Sequence, residues 1–296
     1  MVVIRKQQGG QLAATPRPAL RNSPAVQRSA WDFVKSWRIL LYGQSRTGKT
    51  TDWASFPGPI LALVCSSGTR PGELRSINTP ENRKKIDARI VDSTTQLKKI
   101  TAEEANSFET VVLDHVGGLQ DLCLKEILGL PEVPVQRPII ADNKKTWGEV
   151  AGDFKECIRG LLNIRGHLVV VGHERVFKGD DDGMAADIIA PVVNVEVTPA
   201  ICRWLNKEFD YVCQKFIRPK MIEQTITQNG KEVKIKKRGR GVEFCYRVGH
   251  SDLFYTKFRM TLDKALKLPE VITIDKTDSA YVKIKALIDG ALIDGR

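Results

Sequence analysis

Residues 38–51 read RILLYGQSRTGKTT, and this stretch decides the fold. Gly43, Gly48, Lys49 and Thr50 fill the pattern G-x-x-x-x-G-K-[ST] of a loop that cradles nucleotide phosphates. The apolar run Ile39-Leu40-Leu41-Tyr42 leads into the first glycine as a buried strand does, and a segment able to start a helix follows the lysine. In that setting backbone N–H groups wrap the phosphates, and the helix N-terminus adds a field favourable to anions. Gly43 and Gly48 permit backbone angles and close approaches that a Cβ would block. Gly43, Gln44, Ser45, Arg46, Thr47, Gly48, Lys49, Thr50 and Thr51 are therefore the expected nucleotide-binding residues. Lys49 is expected to reach the β- and γ-phosphates of ATP, and the Thr50 hydroxyl to ligate Mg²⁺. A chance glycine-rich turn is the alternative, and the flanking strand and helix weigh against it.

Downstream, apolar runs alternate with helical periodicity. Ile60–Val64 is a continuous apolar run, a short strand is expected at Ala88–Asp92, and Thr110-Val111-Val112-Leu113-Asp114 is another buried strand ending in an acid. The segment 117–129 is expected to be helical. An amphipathic helix is expected from Trp147 to Arg165, with Val150, Phe154, Cys157, Ile158, Leu161 and Leu162 on its apolar side. His167–His173 is the next buried strand. Such alternation predicts an α/β fold, a mostly parallel sheet flanked by helices through right-handed crossovers. After residue 208 the chain becomes β-rich. Tyr211–Ile217, Ile222–Gln228, Lys231–Lys237, Val242–Val248 and Leu253–Arg259 read as strands, with Asn229-Gly230 a strong hairpin signal. Residues 278–293 are weakly helical. The expected organisation is a basic disordered arm over 1–30, a phosphate-loop core over 31–217, and a basic β-hairpin extension with a C-terminal helix over 218–296.

Asp114 closes an apolar strand downstream of the phosphate loop, where such enzymes keep a second Mg²⁺-organising carboxylate. Its alternative is a strand-capping acid. The next residue is His115 rather than a glutamate, so the base for an attacking water must lie elsewhere. The nearest carboxylate after the second strand is Glu73, in VCSSGTRPGEL; a solvated loop acid is its alternative. His173 ends the following strand, where α/β sheets place ligands, and is expected to sense the γ-phosphate, with Glu174 sharing the role. Capping the strand end is the alternative for His173. The expected catalytic set is Lys49, Asp114, Glu73 and His173, with Thr50 and Asp114 for the metal.

A length of 296 residues with 42% hydrophobic content suits a sizeable core. No run approaches the ~18 apolar residues of a membrane span, and the basic N-terminus lacks a secretory apolar segment. Six cysteines without a C-x-x-C pair argue against a zinc ribbon or disulfide framework and suit a reducing cytosol, so a cytoplasmic location is expected. The net charge is +11. It concentrates in Arg5, Lys6, Arg17, Arg21 and Arg28, unopposed by any acid in the first 30 residues, and in KEVKIKKRGR at 231–240. Lys231, Lys234, Lys236, Lys237, Arg238 and Arg240 are candidate contacts to a nucleic-acid backbone. The bland alternative is a solvated tail and hairpin. Phe244, Tyr246 and Tyr255 offer stacking faces to bases, although their alternation with polar residues fits sheet packing.

Taken together, LLYGQSRTGKTT, ILALV, VVLDHV, TWGEVAGDFKECIRGLL and VVVGHE resemble the phage-type nucleotide-binding AAA-domain family. Its characterised members are RecA-like, core-only ATPases of single-strand-annealing recombination. The resemblance covers residues 38–217 and TKFRM at 256–260. It implies a RecA-like P-loop NTPase, ATP and Mg²⁺, single-stranded DNA as partner and a homo-oligomer. Lys257 and Arg259 match a late basic element that approaches a neighbouring subunit's nucleotide. The loop after His173 would take the position of a DNA-binding loop, but its Asp180-Asp181-Asp182 run disfavours phosphate, which shifts DNA contact to Lys231–Arg240 and the N-terminal arm. The family's acidic run after the second strand is replaced by Cys65-Ser66-Ser67-Gly68, which implies weak turnover. A nucleotide-dependent switch with protein partners is the competing reading. A small-molecule kinase is disfavoured by a β-rich basic extension where an arginine-bearing lid would stand.

Overall fold

The computed structural model describes residues 35–65, 72–132, 144–177, 192–228, 231–274 and 278–291. The N-terminal arm, the loop carrying Asp180–Asp182 and the Asn229-Gly230 turn lie outside them.

The anticipated α/β alternation is present. In chain order it runs β1 (Arg38–Gly43), α1 (Lys49–Ala54), β2 (Ile60–Val64), α2 (Pro80–Lys85), β3 (Ile86–Ile90), α3 (Thr94–Glu103), β4 (Thr110–Asp114), α4 (Val116–Ile127), α5 (Lys144–Leu162) and β5 (His167–Gly172). A short hairpin follows, β6 (Glu174–Phe177) with β7 (Val192–Val195), then α6 (Pro199–Glu208). The last part holds β8 (Tyr211–Gln228), β9 (Lys231–Arg247), β10 (Lys257–Phe258), α7 (Leu262–Ala265), β11 (Val271–Ile274) and α8 (Ala280–Asp289).

The main sheet has the order β11-β9-β8-β1-β5-β4-β2-β3, with β10 added beside the start of β8. From β3 to β8 every neighbouring pair is parallel, while β9, β10 and β11 join antiparallel. This is a P-loop NTPase fold in which β5 separates the phosphate-loop strand β1 from the acid strand β4. The buried strands carry apolar side chains on both faces. Leu40, Tyr42, Leu61, Leu63, Val111, Leu113 and Val170 pack one way against α3, α4, α5 and α6. Ile39, Leu41, Ala62, Val112 and Val171 pack the other way with Trp53 of α1 and Ile284 of α8. That two-sided burial is why these strands read as unbroken apolar runs.

Several elements depart from the sequence reading, and α2, β6, β7, α7 and β11 were not anticipated. β8 continues through Pro219, which pairs with Val242, to Gln228, and a bulge just beyond it sets Lys220 against residues 239–241 of β9. It therefore crosses position 217–218, the expected division between core and extension. β9 is likewise one strand from Lys231 to Arg247, and Gln228 pairs with Lys231, so the hairpin closes as its Asn-Gly signal predicts. Within 253–259 only Lys257–Phe258 joins the sheet. Helix α6 was not anticipated, although Thr198 before Pro199 and the spacing of Ile201, Cys202 and Leu205 carry its signal.

Candidate nucleotide site

The site lies at the carboxyl edge of the parallel strands. Register aligns Tyr42 with Gly172 on one side and Gln214 on the other, and Gly43 with Lys215. Asp114 aligns with Val171, and so does Leu41 of β1, which sets the acid two strands, about 10 Å, from the start of the loop. Gly43 is required by its neighbour, since a Cβ there would lie 2.1 Å from the Lys215 carbonyl oxygen. Gly48 has φ +88° as the residue that turns the loop into α1, with the Phe244 ring packed beside it. Arg46 also takes a positive φ, of 68°, so the loop is a sharply wound nest of backbone.

Lys49 is buried, and its ammonium donates to the Gly43 carbonyl at 2.8 Å and the Gln44 carbonyl at 2.7 Å. Two of its three donors are thus fixed by its own loop, and the Nζ is held at the loop's mouth. Burial lowers its pKa from 10.5 to about 8, against the opposing pull of Asp114, Glu174 and Asp52. Asp114 is 5% exposed and accepts a hydrogen bond from the Trp53 indole, 3.1 Å from Nε1 to Oδ2. Trp53 stands three residues after Thr50, on the same side of α1. One helical turn therefore brings the Thr50 hydroxyl and the Asp114 carboxylate toward the same space. Both are hard oxygen donors, as Mg²⁺ requires.

Beyond Asp114, His115 caps α4 by accepting from the Gly118 N–H at 3.1 Å. Its ring meets that of His173 edge to face, centroids 4.9 Å apart. Burial lowers the His173 pKa, and the positive charge of Lys49 lowers it further, so the imidazole stays neutral near pH 7. Glu174 accepts from the Gln214 side-chain amide at 2.9 Å. Gln214 Oε1 in turn accepts from Arg247 Nε at 3.3 Å. The Arg247 guanidinium lies over the Phe216 and Phe254 rings and is ion-paired with Glu270.

On the opposite side, α1 is locked to the β-rich part of the chain. Lys215, 1% exposed, forms an ion pair of 2.8 Å with Asp52, and the Tyr246 hydroxyl donates to the same carboxylate. Burial raises the Asp52 pKa while Lys215 and Tyr246 pull it down. The Lys215 ammonium also stands 4.3 Å from the centre of the Tyr246 ring.

Of the residues singled out from sequence, Lys49, Asp114 and His173 come together, as each one's charge acts on another's ionisation. Glu73 falls in the 3₁₀ segment Gly72–Ile77, and its side chain lies outside the described residues. Lys257 and Arg259 serve a different end of the fold: the Lys257 ammonium donates to the Asn206 and Lys207 carbonyls and the Arg259 guanidinium to the Lys207 carbonyl and to Asp210. Both neutralise the C-terminus of α6. Tyr246 is fully buried and Tyr255 half-buried against the core, so both pack the sheet; Phe244 packs beside Gly48. Lys237, Arg238 and Arg240 are exposed on the ribbon of β8 and β9, while the side chains of Lys231, Lys234 and Lys236 lie outside the described residues. Sequence reading passed over Asp52, Trp53, Gln214 and Lys215. Asp52 and Lys215 had one usable signal, a charge placed inside an apolar helix turn or strand.

Among the described residues no helix is long and apolar enough to cross a membrane. A search of curated proteins finds no match to this sequence. Similar solved structures include a KaiC-like protein from the hyperthermophilic archaeon Pyrococcus horikoshii, at 12% identity and TM-score 0.36, covering 71% of this chain and 84% of that one. Another is the flagellar accessory protein FlaH from Methanocaldococcus jannaschii, at 9% identity and TM-score 0.34, covering 72% and 78%. A family model described as an AAA domain matches residues 35–260, a span that contains the phosphate loop, Asp114, His173 and the β8–β9 ribbon. The chain belongs to this AAA-domain family.

Proposed function

We propose that this protein binds ATP with Mg²⁺ and hydrolyses it while acting on single-stranded DNA in recombination or repair, as a homo-oligomer. The observation that carries the ATPase reading is the Gly43–Thr50 loop, with the Lys49 ammonium held at its mouth by two backbone carbonyls. Its remaining N–H and the loop amides would take the β- and γ-phosphate oxygens, and Thr50 with Asp114 would hold Mg²⁺, which would supply charge neutralisation at the phosphates. His173, neutral and beside Lys49, is placed to answer to the γ-phosphate.

The DNA part rests on the basic ribbon and on the resemblance to annealing-linked phage ATPases. Lys237, Arg238 and Arg240 would neutralise phosphates without reading sequence. A second reading, a nucleotide-dependent switch with slow turnover, draws on the Lys215–Asp52–Tyr246 lock, which ties the phosphate-loop helix to the ribbon. ATP hydrolysis with and without single-stranded DNA, beside Lys49→Ala, separates the two. Stimulation by DNA that is lost in the variant supports the recombination reading. ATP binding with slow, DNA-insensitive turnover supports the switch.

A further inference from the structure

An ATPase needs a group that aligns the attacking water and takes its proton. Among the described residues, the carboxylates of Asp114, Glu174 and Asp52 act on the charge of Lys49. Asp52 is held by Lys215 and Tyr246 beneath α1, which takes it out of position for this task. Asp114 is tied to the Trp53 indole and faces Thr50, which suits a metal ligand.

Glu174 is differently placed. It follows β5 by two residues, and its carboxylate is 2.9 Å from the amide of Gln214 on β8, although β1 lies between these strands. The Glu174–Gln214 bridge must therefore cross the end of β1, where Tyr42 is flanked by Gly172 and Gln214 in register. That is the mouth of the phosphate loop, where the Lys49 ammonium meets the Gly43 and Gln44 carbonyls. The direct partner of Glu174 is a neutral amide whose oxygen is engaged by Arg247, so Gln214 presents its NH₂ to the carboxylate in one orientation.

We propose that Glu174 is the catalytic base of this site, with Gln214 as its positioning residue. This rests on the ATPase reading above. In the step it serves, the oxygen of water forms a bond to the γ-phosphorus as its proton passes to the Glu174 carboxylate. The bond from that phosphorus to the β–γ bridging oxygen breaks, and the bridging oxygen leaves with the electron pair on ADP.

The experiment is ATP binding, followed with a fluorescent ATP analogue, and single-turnover hydrolysis of Mg-ATP, with and without single-stranded DNA. It compares wild type, Glu174→Gln, Gln214→Leu and Glu73→Gln, each checked for an unchanged melting transition. Glu174→Gln keeps an oxygen for the Gln214 amide but cannot accept the proton. The expected result is nucleotide affinity within about threefold of wild type and hydrolysis slowed about 100-fold or more in Glu174→Gln. Gln214→Leu should slow hydrolysis about tenfold with affinity retained, whereas loss of hydrolysis in Glu73→Gln but not in Glu174→Gln assigns the base to Glu73 and overturns the proposal. Hydrolysis by Glu174→Gln within about threefold of wild type overturns the proposal, as does a wild-type protein that binds ATP and never turns it over. A wild-type protein that binds no nucleotide overturns the ATPase reading itself, which the binding arm reports separately.

Discussion

Replacing Lys49 with Met gives a test of the site that needs no nucleotide. In the folded protein burial lowers the ammonium pKa from 10.5 to about 8, whereas the unfolded chain keeps the ordinary value. A depressed pKa contributes stability that is present above the unfolded value, near 10.5, and lost as pH falls through about 8. At about pH 7 the wild type therefore carries a cost of about 3 kcal/mol from holding this charge out of water. By about pH 9.5 most unfolded lysine is still charged while folded Lys49 is largely neutral, and the cost has shrunk to about 1 kcal/mol. At 7% exposure, solvent screening takes little from that figure. The Met variant also loses two hydrogen bonds to the Gly43 and Gln44 carbonyls, but that loss is the same at both pH values. Urea unfolding of both nucleotide-free proteins should thus show wild type gaining about 2 kcal/mol on the variant between the two pH values. With saturating Mg-ATP the phosphates hold the ammonium charged, and the gain should vanish. A wild-type-minus-variant difference that stays flat within about 0.5 kcal/mol across this range refutes the reasoning.

Three further perturbations probe the support of the loop and the ribbon. Gly43→Ala places a Cβ 2.1 Å from a backbone oxygen of β8, and a loss of at least about 3 kcal/mol in urea unfolding is expected; an unchanged midpoint contradicts it. Lys215→Met strands the Asp52 carboxylate in the core and should cost about 3–5 kcal/mol, with part of it recovered in Asp52→Asn/Lys215→Met. A double-mutant cycle with no coupling would dissolve the claimed lock between α1 and the ribbon. Changing Lys237, Arg238 and Arg240 to Ala should lower the slope of log affinity for single-stranded DNA against log salt by about 2, measured by titration at several ionic strengths; an unaltered slope moves DNA contact elsewhere.

Much of the parallel core was legible because its signals are local. The strands at 38–43, 60–64, 110–114 and 167–172 are buried on both faces, so composition alone marks them. Helix α5 declares itself by spacing, since only one stripe is buried. The β-rich part was harder because its continuity depends on partners. Pro219 is a stop signal in isolation, yet β9 runs beside it and a bulge follows it. β11 is four residues long and exists because β9 offers an edge to Phe244–Arg247. Within the site, Lys49 and Asp114 sit in recognisable positions, while Glu174 looked like a neighbour of His173 until the bridge to Gln214 placed it across β1.

By itself the sequence determined the phosphate loop, the acid strand, the α/β alternation and the basic hairpin, each encoded within a few residues by glycine geometry, apolar continuity or charge. The tertiary structure alone decided which carboxylate reaches Gln214 and which supports α1 from beneath. Asp52 with Lys215, and Glu174 with Gln214, pair a helix or strand with β8 from far apart in the chain, and they meet because β1 has β5 on one side and β8 on the other. Strand order is set by which apolar faces bury one another, a long-range condition that no local stretch of residues contains.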